Sequence, residues 1–84
     1  MIEEILEERG NNYGDFKTHA QITQGFKSIM HTHESGLTNA QTESLEMIFH
    51  KIGRILNGNP NYKDSWVDIV GYAQLIVREL EASE

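Results

Sequence analysis

The sequence predicts an all-α protein: a compact four-helix domain with two long C-terminal helices, which we expect to form oligomers. Apolar residues recur at spacings of three and four along most of the chain, the period of a helix that buries one face. Gly, Asn and Pro interrupt this pattern where helices would end. The length of 84 residues suits one domain, so residues 1–84 are expected to form a single helical unit.

The first two helices are predicted in the N-terminal third of the chain. The first is expected over about residues 2–9, with Gly10 ending it. Residues 11–14 are then expected to form a loop. Asp15 has the side chain of a helix N-cap, so the second helix is predicted over about residues 16–30.

The third and fourth helices are the two long ones. Thr38 and Gln41 have the spacing of a capping box, which predicts a helix that continues to about Leu56. The fourth helix is predicted to begin near Asp64 or Ser65, either of which could cap it, and to end at about residue 80.

The fourth helix is apolar on more than one face. Its predicted core stripe, in which Trp66 is expected to be buried, consists of Trp66, Ile69, Val70, Ala73, Ile76, Val77 and Leu80. Leu75 lies opposite that stripe and Val67 flanks it. A helix with this pattern is either central in its fold or buried against a second chain. We therefore expect a homo-oligomer.

Composition limits the partners. The net charge is -6, from 13 acidic and 7 basic residues, which opposes binding to the many phosphates of a nucleic-acid polymer. A small nucleotide needs only one or two cations or a helix N-terminus. The absence of Cys excludes thiolate chemistry. No apolar run reaches the roughly 20 residues of a membrane span, so no membrane partner and a cytoplasmic location are expected.

A polar stripe lies beside the apolar face of the third helix. Glu46, His50, Gly53 and Asn57 are spaced by four, three and four residues, which places them on one flank. Gly53 has no side chain, so a backbone or a ligand could approach there. Lys51 and Arg54 point in other directions. A site that includes all these groups would need a loop or a second subunit to complete it.

Two carboxylates open the fourth helix. Asp64 and Asp68 are four residues apart and would repel each other unless they accept backbone N–H groups or share a cation. Capping at the positive end of the helix dipole and a direct role in ligand binding both remain open.

Three segments resemble a family of small phage and prophage proteins. Tyr13-Gly14-Asp15, residues 45–55 and residues 64–73 are similar to the nucleotide-modification-associated domains, which carry a Tyr-Gly-Asp turn, a Lys-x-x-Arg helix and an Asp-Ile-x-x-Tyr-Ala helix. The resemblance spans nearly the whole chain. It implies a phage-encoded protein that handles nucleotides in the cytoplasm of the host.

The two long helices also resemble, more distantly, the MazG-like all-α nucleotide pyrophosphohydrolases. Those enzymes hold Mg²⁺ with a Glu-Glu-x-x-Glu helix and a Glu-x-x-Asp helix. Glu43, Glu46 and Asp68 match these motifs and are the metal ligands that the resemblance implies, whereas Thr42 and Ser65 stand in place of two acids. Mg²⁺ is the cofactor implied for an enzyme; no other cofactor is predicted.

Three functions of different classes remain open. The first is a phage-type binding protein that grips, and could sequester, a nucleotide or nucleotide-derived immune signal without cleaving it. The second is an Mg²⁺-dependent MazG-like pyrophosphohydrolase, whose catalytic acids would be Glu43, Glu46, Asp64 and Asp68. The third is an acidic anti-defence inhibitor that binds a host protein. The incomplete acidic set favours the first over the second.

The candidate ligand-binding residues are aromatic side chains that could stack on a base, cations that could meet phosphate, and polar groups beside them. They are Tyr13, Asp15, Lys17, Glu46, His50, Lys51, Arg54, Asn57, Lys63, Trp66, Asp68 and Tyr72.

Overall fold

The computed structural model describes residues 1–33 and 35–84, and within them the prediction of an all-helical protein with four helices is confirmed. The helices are α1 (Ile2–Tyr13), α2 (Phe16–His33), α3 (Asn39–Asn57) and α4 (Lys63–Ala82). With 18 residues, α2 is nearly as long as the two C-terminal helices. None of the helices in the described part of the chain has the length and apolar character needed to cross a membrane.

Helix α3 is the centre of the fold. It packs against α2 on one side and α4 on the other, and α1 lies across the α2–α3 pair. Phe49 and Gly53 of α3 meet α2, whereas Ser44 and Lys51 meet α4. At 100° per residue these two pairs point in nearly opposite directions. Among the described helices, α4 contacts α3 alone.

Two predicted helix caps are confirmed. The Thr38 hydroxyl accepts the Gln41 backbone N–H at 3.0 Å, and the Gln41 side chain accepts the Thr38 N–H at 3.0 Å, which completes the capping box. Asp15 accepts the Thr18 backbone N–H at 2.9 Å and so caps α2. This hydrogen bond, donated to the carboxylate, lowers the pKa of Asp15.

Other helix ends were predicted wrongly. Gly10 does not end α1, which continues through residues 11–13 to a C-cap at Gly14. An interior glycine costs a helix only about 1 kcal/mol, so the contacts beyond it can outweigh that cost. Helix α2 extends three residues past Met30. Helix α4 begins after Tyr62 as its N-cap, and neither Asp64 nor Ser65 caps it, because both lie within its first turn.

The interior of the chain is small and partly polar. Of the described residues, Met30 is the one large hydrophobic residue that is buried. The buried polar or charged residues are Thr23, Ser44, Lys51 and Ser65. Trp66, predicted for the core, is 53% exposed, because α4 packs against α3 alone among the described helices; the indole N–H donates to the Pro60 carbonyl at 2.8 Å. The radius of gyration is 14.7 Å, against about 12 Å for a compact domain of this length. One chain is therefore less compact than the sequence predicts.

Candidate functional site

A cleft of about 530 Å³ opens between α1, α2 and α3. Its wall includes two side chains from each helix: Arg9 and Tyr13 of α1, Phe16 and His19 of α2, and His50 and Arg54 of α3. We call this the α1–α3 cleft. It combines aromatic rings with cationic and imidazole groups on a chain whose net charge is -6.

The turn between α1 and α2 is tied to the end of α3. The Asn57 side-chain amide donates to the Tyr13 carbonyl at 3.1 Å and to the Asp15 carbonyl at 2.8 Å. The Asn59 backbone N–H donates to the Asn12 carbonyl at 2.8 Å. These bonds satisfy carbonyls at the end of α1 and hold Tyr13 at the edge of the cleft.

Two glycines make this close approach possible. Gly14 has φ +78°, in the left-handed region, and a Cβ there would collide with the backbone and side chain of Asn57. A Cβ on Gly58 would collide with the backbone of Asn12 and Tyr13. The geometry of the turn therefore depends on the lack of a side chain at both positions.

Arg54 and Arg9 supply positive charge to the cleft. The guanidinium carbon of Arg54 lies 4.3 Å from the centre of the Tyr13 ring, which is a cation–π contact. Neither arginine forms an ion pair with a carboxylate within residues 1–33 and 35–84. A planar guanidinium without such a partner is well suited to bind a phosphate or carboxylate.

A chain of polar side chains runs along the α2–α3 seam behind the cleft. Lys27 Nζ lies 3.5 Å from a carboxylate oxygen of Glu46 and 3.3 Å from His50 Nε2. His50 Nδ1 lies 3.3 Å from His19 Nε2, and the two rings are stacked. Since Lys27 can only donate, His50 Nε2 accepts, and neutral His50 then donates from Nδ1 to His19 Nε2.

The proton of neutral His19 is therefore on Nδ1. This atom is buried without a hydrogen-bond partner, next to Gly53. A Cβ on Gly53 would lie 3.0 Å from the His19 ring, so glycine leaves room for the imidazole. The sequence predicted a backbone or a ligand close to Gly53, but side chains of α2 occupy this position instead.

Both imidazoles are held in the neutral form. Burial is the main cause of the lowered pKa of His19, followed by the electrostatic influence of the His50 and Arg54 side chains, which disfavours a positive charge on His19. Burial also lowers the pKa of His50, and Lys27, Arg54 and Lys51 lower it further against the opposing effect of Glu46. Burial and the neighbouring cationic groups thus act in the same direction on both histidines.

The structure brings together some of the predicted site residues. Tyr13, Asp15, His50 and Arg54 line the cleft. Glu46 and Asn57 support its walls, through Lys27 and through the turn. All four residues of the predicted polar stripe on α3 contact α2 or the turn.

The other predicted site residues lie outside the cleft of one chain. Lys51 and Asp68 form an ion pair of 2.9 Å between α3 and α4. The Tyr72 carbonyl accepts the Ser44 hydroxyl at 2.9 Å in the same seam. The exposed residues are Lys17, Glu43, Lys63, Asp64 and Trp66.

The acids implied as Mg²⁺ ligands do not meet within one chain. Glu46 faces α2 and pairs with Lys27, Asp68 pairs with Lys51 on the opposite side of α3, and Glu43 is exposed. Across the described ranges, no three His, Asp or Glu side chains are close enough to hold a metal ion. This arrangement does not fit the Mg²⁺ site, and no chemical step through a metal follows from it.

Sequence reasoning missed Arg9, Phe16, His19 and Lys27. Arg9 and Tyr13 are four residues apart and share one face of α1, which the incorrect helix end at Gly10 concealed. His19, Thr23 and Lys27 recur every four residues on α2 and could have been recognised as a stripe complementary to that of α3.

The fold and the cleft define an all-α domain with a pocket lined by two arginines and by Asp15, which caps α2, on a chain of negative net charge. Residues 2–80 match the model of a family described as "Domain of unknown function (DUF6378)", and the chain belongs to that family. No curated protein and no solved structure matches it.

Proposed function

We propose that the α1–α3 cleft binds a nucleotide or a nucleotide-derived signal and holds it without cleaving it. The observation that carries the proposal is the pair of arginines, Arg9 and Arg54, which line the cleft without a carboxylate partner among the described residues. On a chain of net charge -6, such a local surplus of positive charge favours a small anion.

The shape and lining of the cleft support a ligand with both an anionic and an aromatic part. Its volume of about 530 Å³ falls within the range of small-molecule sites. Phe16 is 71% exposed beside the cleft and offers a face on which a base can stack. The arginines would bind the phosphate, while Tyr13 holds the Arg54 guanidinium in place.

Binding without cleavage is favoured by the state of the acidic residues. Glu46 and Asp68, which a pyrophosphohydrolase would need for its metal, are each engaged by a lysine on opposite sides of α3. Phosphate binding through arginine requires no metal.

Three broader expectations remain proposals that accompany this one. The resemblance to phage proteins supports a phage origin, with the ligand a host immune signal that the protein sequesters in the cytoplasm. The exposed apolar surface of α4 supports a homo-oligomer.

Isothermal titration calorimetry tests the proposal. The wild-type protein is titrated with nucleoside mono- and triphosphates, cyclic nucleotides and ADP-ribose, with and without Mg²⁺, and the recovered ligand is examined by chromatography. We expect binding to at least one of these compounds and its recovery intact. Arg54→Gln should weaken binding by about tenfold or more, because a charge-assisted hydrogen bond is lost.

Arg78→Gln is the matched control, since Arg78 is an exposed arginine on α4 and does not line the cleft. Equal losses in both variants would contradict the proposed site. Mg²⁺-dependent release of pyrophosphate that is lost in Glu46→Gln would overturn binding without cleavage and establish the enzyme. If no compound gives either binding heat or turnover, the proposal is overturned in favour of a protein partner.

A further inference from the structure

Helix α4 exposes a regular apolar stripe. Trp66, Val70, Ala73, Val77 and Leu80 are spaced by four, three, four and three residues, which is the heptad spacing of a coiled-coil seam. All five are exposed, and the four large side chains are 53%, 66%, 42% and 54% exposed in chain order. We call this set the α4 stripe.

The α4 stripe lies on a different side of the helix from the α3 contact. Ser65 is buried and Tyr72 is half-buried in the seam with α3. The stripe is rotated from that direction by roughly 100°, as helix geometry of 3.6 residues per turn requires. Because α4 contacts α3 alone among the described helices, no described helix covers the stripe.

One chain exposes more surface than an average folded monomer of its mass. The chain exposes 6197 Å², whereas a monomer of 9.6 kDa exposes about 5,100 Å². The excess of about 1,100 Å² on each of two chains amounts to roughly 2,200 Å² of buried surface, within the range of obligate homodimers. An interface of this size with one identical partner would be large enough for a stable homodimer.

We propose that the α4 stripe is the interface of a homodimer, in which α4 of a second copy packs antiparallel to it about a two-fold axis at Ala73. Trp66 and Leu80 lie seven residues on either side of Ala73. Antiparallel pairing therefore places Trp66 of each copy opposite Leu80 of the other. The small Ala73 side chains at the centre allow the two helices to approach closely, and the same patch serves both copies, as two-fold symmetry requires.

Charge favours the antiparallel direction. Lys63 and Glu81 lie on the same edge of the stripe, at opposite ends of α4 and separated by five helical turns. Antiparallel pairing brings Lys63 of each copy beside Glu81 of the other, twice per dimer, and opposes the two helix dipoles. Parallel pairing would bring lysine to lysine and glutamate to glutamate.

A shallow, mainly apolar groove of about 270 Å³ between α3 and α4 reaches Ala73 and could accept a side chain of the second copy.

The dimer leaves the nucleotide site open. The α1–α3 cleft includes no residue of α4. The inference rests on the self-association proposed above and makes it specific, but it does not depend on nucleotide binding.

Sedimentation equilibrium without any nucleotide is the first test. We expect the wild type at tens of micromolar to have twice the 9.6 kDa mass of one chain. Val77→Glu places a charge in the stripe and should halve that mass. Leu75→Glu is the matched control, because Leu75 is 54% exposed on the opposite face of α4, and it should remain dimeric. A monomeric wild type, or a dimer lost only in the control, would overturn the interface.

Disulfide cross-linking tests the direction without relying on a destabilised variant. The chain has no native Cys, so one substitution introduces a single thiol. Mild oxidation of Ala73→Cys should yield a covalent dimer, since the two positions face each other on the axis. Leu80→Cys should not, because its opposite position is Trp66. Cross-linking of Leu80→Cys with equal efficiency would overturn the antiparallel arrangement.

These outcomes are separate from the nucleotide proposal. A dimer with the expected cross-link that binds no nucleotide leaves the interface standing and removes only the ligand. A monomer that binds nucleotide through Arg54 would overturn the interface and leave the nucleotide proposal standing.

Discussion

The two seams on either side of α3 differ in chemistry. The α2–α3 seam contains imidazoles and the Lys27–Glu46 pair behind an open cleft. The α3–α4 seam is closed by the Lys51–Asp68 pair and by Ser44, and the outer face of α4 is apolar. Under the two proposals above, one side would bind a small anion and the other would pack against a second copy of the chain. A single central helix can separate these two tasks because its opposite faces share no residues.

The largest effect is expected where the turn at the cleft meets α3. Gly14→Ala should lower the free energy of unfolding by about 3 kcal/mol, because it adds a Cβ at positive φ that collides with Asn57. Thermal unfolding followed by circular dichroism should show a Tm lower by roughly 15 °C. Gly25→Ala, in an open part of α2, is the control and should raise stability by about 0.5–1 kcal/mol. Equal Tm values for Gly14→Ala and wild type would show that the turn is not tied as described.

A smaller loss of unfolding free energy is expected when either of the two ion pairs is broken. Asp68→Asn removes the partner of the buried Lys51 ammonium and should cost about 1–2 kcal/mol, a value reduced because Asp68 is itself 45% exposed. Glu46→Gln should cost less, since its 3.5 Å contact with Lys27 is longer. Chemical denaturation gives both values.

Ligand affinity separates the same two variants more sharply. Asp68→Asn should leave affinity unchanged, because Asp68 lies away from the cleft. Glu46→Gln should strengthen the binding of an anion severalfold, since it removes a negative charge close to His50 and leaves Lys27 unopposed. A loss of affinity in Asp68→Asn alone would contradict the proposed cleft and indicate a site on the α4 side of α3.

The smallest effect is a dependence of stability on pH. The pKa values of His19 and His50 are lowered in the folded chain, so the unfolded chain binds more protons as the pH falls through 6.5. Stability should therefore decrease between pH 7 and about pH 5.5, by less than about 1 kcal/mol because solvent reaches both rings. His50→Gln should flatten this part of the profile. A wild-type profile that rises on acidification would contradict the neutral imidazoles.

Local spacing was sufficient to predict part of the site. The polar stripe of α3 was recognised from its residue spacing, and each member contacts α2 or the turn, because a helix fixes which residues share a face. The caps at Asp15 and Thr38 were predicted for the same reason, since a cap depends on a few neighbouring residues.

The remainder depends on contacts between distant parts of the chain. Arg9 and Tyr13 share one face of α1 because the helix continues past Gly10, and Asn57 and Asn59 donate hydrogen bonds to carbonyls at the end of this continuation. The α4 stripe, which includes Trp66, was predicted to lie in the core but is exposed, because periodicity identifies an apolar face and not what lies against it. The exposed indole shows that no other part of the described chain covers the ring.

Backbone amide NMR during titration with the tightest ligand tests most directly whether the ligand binds in the α1–α3 cleft and not at α4. We expect shift changes to cluster at Tyr13, His19 and Arg54 and their neighbours, while the amides of the α4 stripe stay unchanged. Changes centred on α4, with none around the α1–α3 cleft, would contradict it.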